Sequence, residues 1–154
     1  MDTGALEALL AAGDWRAADD ETRRLLLGAG EQGGFAGLES AETALLDCAL
    51  LKAIDRSWSN ATEGRYGIEV QSRILAEIRG EDLPRKATWR LFGLRVGWVD
   101  SNGWAEADAV LDMADGPPGH LPWIPGTMPT VATGRTYDML FEFYKRFDEC
   151  AADG

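Results

Sequence analysis

The chain has 154 residues, of which 45% are hydrophobic, and it carries 15 Lys and Arg against 26 Asp and Glu, a formal net charge of −11. This length predicts one domain with a sizeable core, and the apolar content is too high for a disordered protein. The acidic balance excludes a general nucleic-acid surface and disfavours an anionic membrane. Because no run of 18 apolar residues and no signal-peptide pattern is present, we expect no membrane insertion and a cytoplasmic location.

The cysteine and histidine content limits redox and metal chemistry. Cys48 and Cys150 lie about a hundred residues apart in helix-like stretches, so we expect two reduced, largely buried thiols rather than a disulfide framework. His120 is the single histidine and cannot build a common zinc site alone. No nucleophile-elbow sequence supports Ser-His-Asp chemistry. Composition therefore contains no argument for an enzyme, and we expect a non-catalytic protein.

The first predicted elements form an αα-hairpin. Leu6, Leu9 and Leu10 recur at helical spacing and stop at Gly13, a residue typical of helix ends. Asp14 is a candidate N-cap for a second helix, with apolar residues on one face and charges on the other.

A glycine-rich segment, Gly28–Gly33, follows the second helix and matches G-x-G-x-x-G. Dinucleotide binding requires a strand before this motif, whereas an amphipathic helix precedes it here. We therefore interpret the segment as a helix-ending loop.

Apolar periodicity predicts four further helices, with a break at Gly64–Gly67. They span Ser40 to about Trp58, Val70 to near Gly80, Arg85 to Phe92, and Thr136 to about Cys150. No internal repeat is visible. These elements predict a single compact all-α domain over residues 1–154.

The stretch from Gly93 to Gly134 is different, since it holds five of the six prolines and three of the six tryptophans. Prolines and glycines at this density predict a long loop without regular structure. Its apolar content argues against disorder. The large side chains either plug the core or line a hydrophobic cavity: Trp98, Trp104, Val110, Leu111, Met113, Leu121, Trp123 and Ile124.

Five short blocks of the sequence occur in the order typical of one known family. They are L-E-A-L-L-A-A-G-D-W from Leu6 with Ala18, Asp19 and Thr22, I-D-R-S-W from Ile54, G-R-Y-G-I-E-V-Q from Gly64, V-G-W from Val96, and G-H-L-P from Gly119. Each block alone is weak, but five in order are specific. Over roughly Leu6 to Trp123 the chain resembles the genomes-uncoupled family of tetrapyrrole-binding regulators.

The resemblance implies an all-α domain shaped like a cupped hand, with the Pro/Gly/Trp-rich loop forming part of a hydrophobic concave face. Members of the family bind protoporphyrin IX and magnesium protoporphyrin and stimulate magnesium chelatase. The implied function is non-catalytic tetrapyrrole binding for delivery, shielding or sensing, with the tetrapyrrole as ligand and no required cofactor. A chelatase subunit or another protein is the implied partner. The alternative is a helical interaction module that keeps the fold without the ligand.

The resemblance also implies an apolar palm that contacts the macrocycle. Its candidate residues are Tyr66, Ile68, Val70, Ile74, Trp98, Trp104, Val110, Leu121 and Trp123. If the 66–70 stretch is extended, Tyr66, Ile68 and Val70 project to one side. The alternative is that Val70, Ile74 and Trp98 face the core.

His120, inside the G-H-L-P block, has two possible roles. It could ligate a metal at the centre of the tetrapyrrole, which would make the protein a heme binder, or it could fix the loop through hydrogen bonds.

The sequence departs from the family where the ligand's propionates are met. Members commonly have arginines shortly after G-H-L-P, whereas no cation follows Pro122 before Arg135. Arg135, Arg65 and Arg95 are the candidates for this edge, because a guanidinium pairs a carboxylate through two hydrogen bonds. The block from Gly64 also has Ile and Glu where Phe and Ser are usual. These differences leave open a preference for another tetrapyrrole, such as a bilin.

Overall fold

The computed structural model describes residues 2–30, 43–113, 115–127 and 134–152, without the side chains of residues 29, 30 and 134–136. Helices α1 (Gly4–Ala11) and α2 (Trp15–Gly30) form the predicted hairpin. Gly13 makes the turn at φ +74°, and the carboxylate of Asp14 accepts the N–H of Ala17 at 3.2 Å. The predicted N-cap is therefore confirmed.

Helix α2 continues through Gly28 to Gly30, so the prediction that the glycine-rich segment ends the helix is wrong for its first three residues. An interior glycine costs a helix only about 1 kcal/mol relative to alanine, which packing of an amphipathic face can offset. The remainder of the segment, 31–33, lies outside the described residues.

Helix α3 (Cys48–Thr62) begins later than the predicted Ser40. The carboxylate of Asp47 accepts the N–H of Ala49 at 3.2 Å and so forms the N-cap. The apolar periodicity extends beyond this cap because Leu46 is buried in the core without being helical. The predicted residues 40–42 lie outside the described part of the chain.

Helix α4 (Ile68–Arg79) begins two residues earlier than expected, so the extended arrangement of Tyr66, Ile68 and Val70 is wrong. The reason is a tertiary cap. Asp55 on α3 accepts the backbone N–H of Glu69 at 2.8 Å and thereby satisfies an unpaired donor in the first turn. Burial raises the pKa of the Asp55 carboxyl, and this hydrogen bond partly opposes the shift.

Helix α5 (Arg85–Val96) also runs past its predicted end. A short antiparallel pair follows, β1 (Val99–Asp100) with β2 (Gly103–Trp104), and then helix α6 (Ala107–Leu111) and a 3-10 turn, Ile124–Thr127. The expectation of a long loop without regular structure is therefore wrong in part. Short elements fit between prolines and glycines that would interrupt longer ones.

Helix α7 (Gly134–Ala152) closes the fold. Its inner face joins a centre of fully buried large side chains: Trp58, Trp89, Phe92, Trp98, Phe143 and Tyr144. The observed architecture is helical apart from the two-residue strands, so the all-α prediction is confirmed. Among residues 2–30, 43–113, 115–127 and 134–152, no helix combines the length and apolar character needed to cross a bilayer.

A disulfide joins Cys48, the first residue of α3, to Cys150 near the end of α7, with their Cα atoms 5.2 Å apart. The expectation of two reduced thiols is wrong for this structure. A separation of 102 residues along the chain does not report spatial distance, which is set by packing of α3 against α7. Arg146 strengthens the same junction by donating to the carbonyl of Leu46 at 3.0 and 2.8 Å.

Candidate functional site

The segment from Gly116 to Pro122 is held against the start of α4 by backbone hydrogen bonds. The N–H of Gly67 donates to the carbonyl of Leu121 at 2.9 Å, and the N–H of Gly119 donates to that of Arg65 at 2.8 Å. Two of the blocks that carry the family resemblance therefore pair with each other, although they are about fifty residues apart.

Gln71 extends this attachment through its side chain. Its Nε2 donates to the carbonyls of Gly119 at 3.0 Å and Pro122 at 2.8 Å. Gln71 ends the G-R-Y-G-I-E-V-Q block, but its position in the sequence predicted no role for it. One feature of the sequence could have indicated its role: a glutamine lies within the mostly apolar face of α4, and a buried amide requires several hydrogen-bond partners.

His120 is fully buried beneath the same segment. Its Nδ1 lies 2.8 Å from the carbonyl oxygen of Val96, and its Nε2 lies 2.8 Å from that of Val110. Both ring nitrogens are thus turned toward backbone carbonyls at the end of α5 and in α6. A nitrogen in such a contact cannot also reach a metal, so this geometry favours the loop-fixing role.

Gly97 explains the V-G-W block in physical terms. It ends α5 at φ +83°, a conformation that suits glycine. A Cβ at this position would lie 2.8 Å from Nδ1 of His120. The indole N–H of Trp98 then donates to the carbonyl of His120 at 2.7 Å. The V-G-W and G-H-L-P blocks therefore form one buried hydrogen-bonded unit.

Most candidate palm residues are part of the core in this structure. Seven of the nine are buried: Tyr66, Ile68, Val70, Ile74, Trp98, Val110 and Leu121. Several of them surround the Gly116–Pro122 segment: the Tyr66 hydroxyl accepts the N–H of Gly116 at 3.2 Å. This placement favours the core interpretation for the seven, and their contact with a ligand stays a prediction.

Trp104 and Trp123 are the two candidates that remain half-buried. The indole N–H of Trp104 donates to the hydroxyl of Tyr137 on α7 at 3.2 Å. The backbone N–H of Trp123 donates to Oδ1 of Asp19 on α2 at 2.7 Å. Within the described residues the indole N–H of Trp123 has no hydrogen-bond partner. Both residues thus keep part of their surface exposed, one at each end of the 104–123 segment.

Asp19 is a second residue whose role the sequence did not predict, because it falls among the charges expected on the polar face of the second helix. It is 6% exposed. Burial raises the pKa of its carboxyl to about 7, although the hydrogen bond from Trp123 acts in the opposite direction.

The candidate propionate cations occupy different environments. Arg65 donates to the carbonyl of Gly116 through Nε at 2.9 Å and also through Nη2, and it pairs with Asp115 at 3.2 Å. Arg95 is exposed and pairs with Glu77 at 3.1 Å. The side chain of Arg135 lies outside the described residues. Arg65 therefore holds the loop at residues 115–116 in this structure. Contact with a propionate stays a prediction for all three arginines.

A hollow of about 520 Å³ lies between α1 and α3. It is lined by Thr3, Glu7, Leu10, Ala11, Ala53, Arg56, Ser57, Asn60 and Ala61. None of the candidate palm residues borders it. The described part of the chain also contains no group of three or more His, Cys, Asp or Glu side chains placed to hold a metal ion.

Solved structures of known proteins share the fold of this chain. GUN4 from Chlamydomonas reinhardtii superimposes with a TM-score of 0.69 at 21% identity, covering 97% of this chain and 88% of that one. Ligand-free GUN4 from Arabidopsis thaliana gives a TM-score of 0.65 at 24% identity, covering 94% and 89%. No curated protein matches the chain. A family model described as GUN4-like matches residues 1–136, so the resemblance to the genomes-uncoupled family is confirmed and the chain belongs to the GUN4-like family.

Proposed function

We propose that this protein is a non-catalytic binder of a tetrapyrrole, a porphyrin such as protoporphyrin IX or magnesium protoporphyrin IX, or a bilin, which it delivers, shields or senses. The observation that carries the proposal is the family match over residues 1–136. The tetrapyrrole is the ligand, and no other cofactor is required. A chelatase subunit is the proposed protein partner.

The half-buried indoles of Trp104 and Trp123 support this function. A macrocycle needs flat apolar surface, and indole rings supply a large amount of it with little loss of conformational freedom. The Trp104 ring is held by the hydrogen bond of its indole N–H, whereas at Trp123 the backbone is held, by Asp19. Ligand contact is therefore proposed at these two residues rather than at the seven buried ones.

Heme binding through His120 has less support, because both of its nitrogens contact backbone carbonyls. Iron ligation would require the fully buried ring to give up the contact of at least one nitrogen. The proposed ligation state is accordingly a tetrapyrrole bound without a histidine ligand.

Absorption titrations with protoporphyrin IX, magnesium protoporphyrin IX, hemin and biliverdin test the proposal. A shifted Soret band or bilin band with saturable affinity in the micromolar range is expected, since association costs offset much of the buried apolar area. The absence of spectral change with all four compounds would overturn it.

Three matched variants locate the contact. Trp104→Leu and Trp123→Leu should each weaken binding roughly two- to tenfold, the range for loss of an aromatic contact. Trp15→Leu removes another half-buried indole, one that stacks on Trp58, and should leave the affinity unchanged. Equal effects of all three variants would indicate general loss of stability, which circular dichroism would detect.

A helical interaction module is the second candidate, because seven of the nine candidate palm residues are buried as core. It would use the acidic surface to bind a protein and would give no spectral change in these titrations. The cytoplasmic location stays a prediction, and the Cys48–Cys150 bridge bears on it, since disulfides persist mainly in oxidising compartments.

A further inference from the structure

The turn Trp123–Thr127, called here the 123–127 turn, connects the G-H-L-P block to the segment before α7 and packs on α2 and α7. Its first residue is one of the two proposed ligand contacts. The backbone N–H of Trp123 donates to the carboxylate of Asp19 at 2.7 Å, and this hydrogen bond attaches the beginning of the 123–127 turn to α2.

We propose that Asp19 is the positioning residue for Trp123, and that the proton carried by its carboxyl group controls how firmly the 123–127 turn is docked on α2. The consequence for the ligand rests on the proposed function, since it requires that Trp123 contacts the tetrapyrrole. The docking itself does not.

The geometry isolates Asp19 from compensating charge. Arg16, three residues earlier on α2, is engaged by Asp108 at 2.9 Å and Asp112 at 2.8 Å. Arg23, four residues later, lies 3.7 Å from Asp20. Within the described residues Asp19 therefore has no ion pair, and a buried carboxylate without one is costly to ionise.

The other charged groups around α2 relieve this cost only in part. Asp20, Arg23 and Arg16 act on Asp19 from its own helix, with Asp20 opposing the two arginines. On α1, Glu7 accepts the hydroxyl of Thr3 and is exposed. The described residues 121–127 contain no titratable side chain. Burial is consequently the main cause that raises the pKa of Asp19 to about 7.

The direction of the effect follows from linkage. When the turn is undocked, the carboxyl is exposed and titrates near the ordinary value of 3.8; when docked, it binds its proton more tightly. Docking is therefore strongest at low pH, weakens as the pH rises from 3.8 toward 7, and stays at its weakest level above 7. Each unit of pKa difference changes the docking equilibrium about tenfold.

The direct test follows the backbone amide of Trp123 by heteronuclear NMR between pH 5 and 8.5. In the wild type its shift should titrate with a midpoint near 7, because the amide donates to the titrating group. Asp19→Asn keeps a similar acceptor without the charge and should abolish the titration. Asp20→Asn changes the exposed neighbour and should preserve it. A Trp123 amide that does not titrate in the wild type, or that still titrates in Asp19→Asn, would overturn the inference.

A second measurement connects docking to the ligand. The affinity for protoporphyrin IX is compared between the wild type and Asp19→Asn at each pH, so that titration of the porphyrin's own propionates cancels. The affinity of Asp19→Asn divided by that of the wild type should rise by about threefold or more between pH 6 and pH 8. A constant ratio alongside a titrating amide would overturn the link to the ligand. Absence of porphyrin binding at every pH would refute the proposed function, while the amide titration would still decide the role of Asp19.

Discussion

The side-chain oxygen of Gln71 accepts a hydrogen bond from the hydroxyl of Tyr144 at 2.8 Å and so joins α4 to α7 inside the core. Both residues are buried, and burial raises the pKa of Tyr144 well above its ordinary value. Because the other end of the Gln71 amide binds the carbonyls of Gly119 and Pro122, one side chain connects two helices to the G-H-L-P block.

We expect Gln71→Leu to cost more stability than Tyr144→Phe. The leucine leaves two carbonyls and one hydroxyl without partners in the core, at about 1–3 kcal/mol for each buried group. The phenylalanine removes only one hydrogen bond, worth about 1 kcal/mol. Urea unfolding measures both. Equal losses would show that the carbonyls of Gly119 and Pro122 gain nothing from Gln71.

Reduction of the Cys48–Cys150 bridge should lower the free energy of unfolding by about 2–4 kcal/mol, because a loop of 102 residues is then released in the unfolded chain. Unfolding with and without dithiothreitol measures the loss. The Cys48→Ala/Cys150→Ala variant is the control, since it should show the lower stability and no response to the reductant. A wild type that is equally stable in both conditions would contradict the expectation.

Gly97→Ala should destabilise the protein more than Gly13→Ala. Both positions have positive φ, +83° and +74°, so both carry the left-handed penalty of about 1–2 kcal/mol. Only at Gly97 does the added Cβ also press on the His120 ring, at 2.8 Å, whereas nothing lies within 4 Å at Gly13. Thermal unfolding gives the comparison. Similar melting temperatures for the two variants would mean that the ring moves aside freely.

His120→Gln should lower the free energy of unfolding by about 1–3 kcal/mol, because glutamine does not reproduce the contacts of the ring with the carbonyls of Val96 and Val110 in a buried site. The substitution should change the affinity for hemin no more than this loss of stability accounts for. The hemin spectra of the wild type and the variant should therefore coincide after saturation. A histidine-ligated spectrum in the wild type that disappears in His120→Gln would restore the heme interpretation.

Local patterns in the sequence determined most of the helices. The leucine spacing before Gly13, the cap at Asp14 and the apolar periodicity of the last helix each concern residues within a few turns of one another. Helical periodicity and capping are local properties, so they can be recognised in the sequence without knowledge of the fold. The order of five short blocks likewise predicted the family, which the match over residues 1–136 confirms.

Helix boundaries set by distant residues were not predictable in this way. Helix α4 begins at Ile68 because Asp55, thirteen residues earlier on another helix, caps its first turn. Helix α3, by contrast, has a local cap: it begins at Cys48 after Asp47, although the apolar pattern extends further back. Periodicity reports which residues are buried, and buried residues need not be helical.

The tertiary structure alone decided which candidate palm residues are core and which keep exposed surface. Tyr66 and Trp98 are buried because the Gly116–Pro122 segment folds over them and is hydrogen-bonded to them through Gly116 and His120. Trp123 is left half-buried, held by a carboxylate more than a hundred residues away. The Cys48–Cys150 pairing has the same origin. Side chains of similar character are indistinguishable along the chain, and only the packing of distant segments determines their neighbours, their exposure and hence their chemistry.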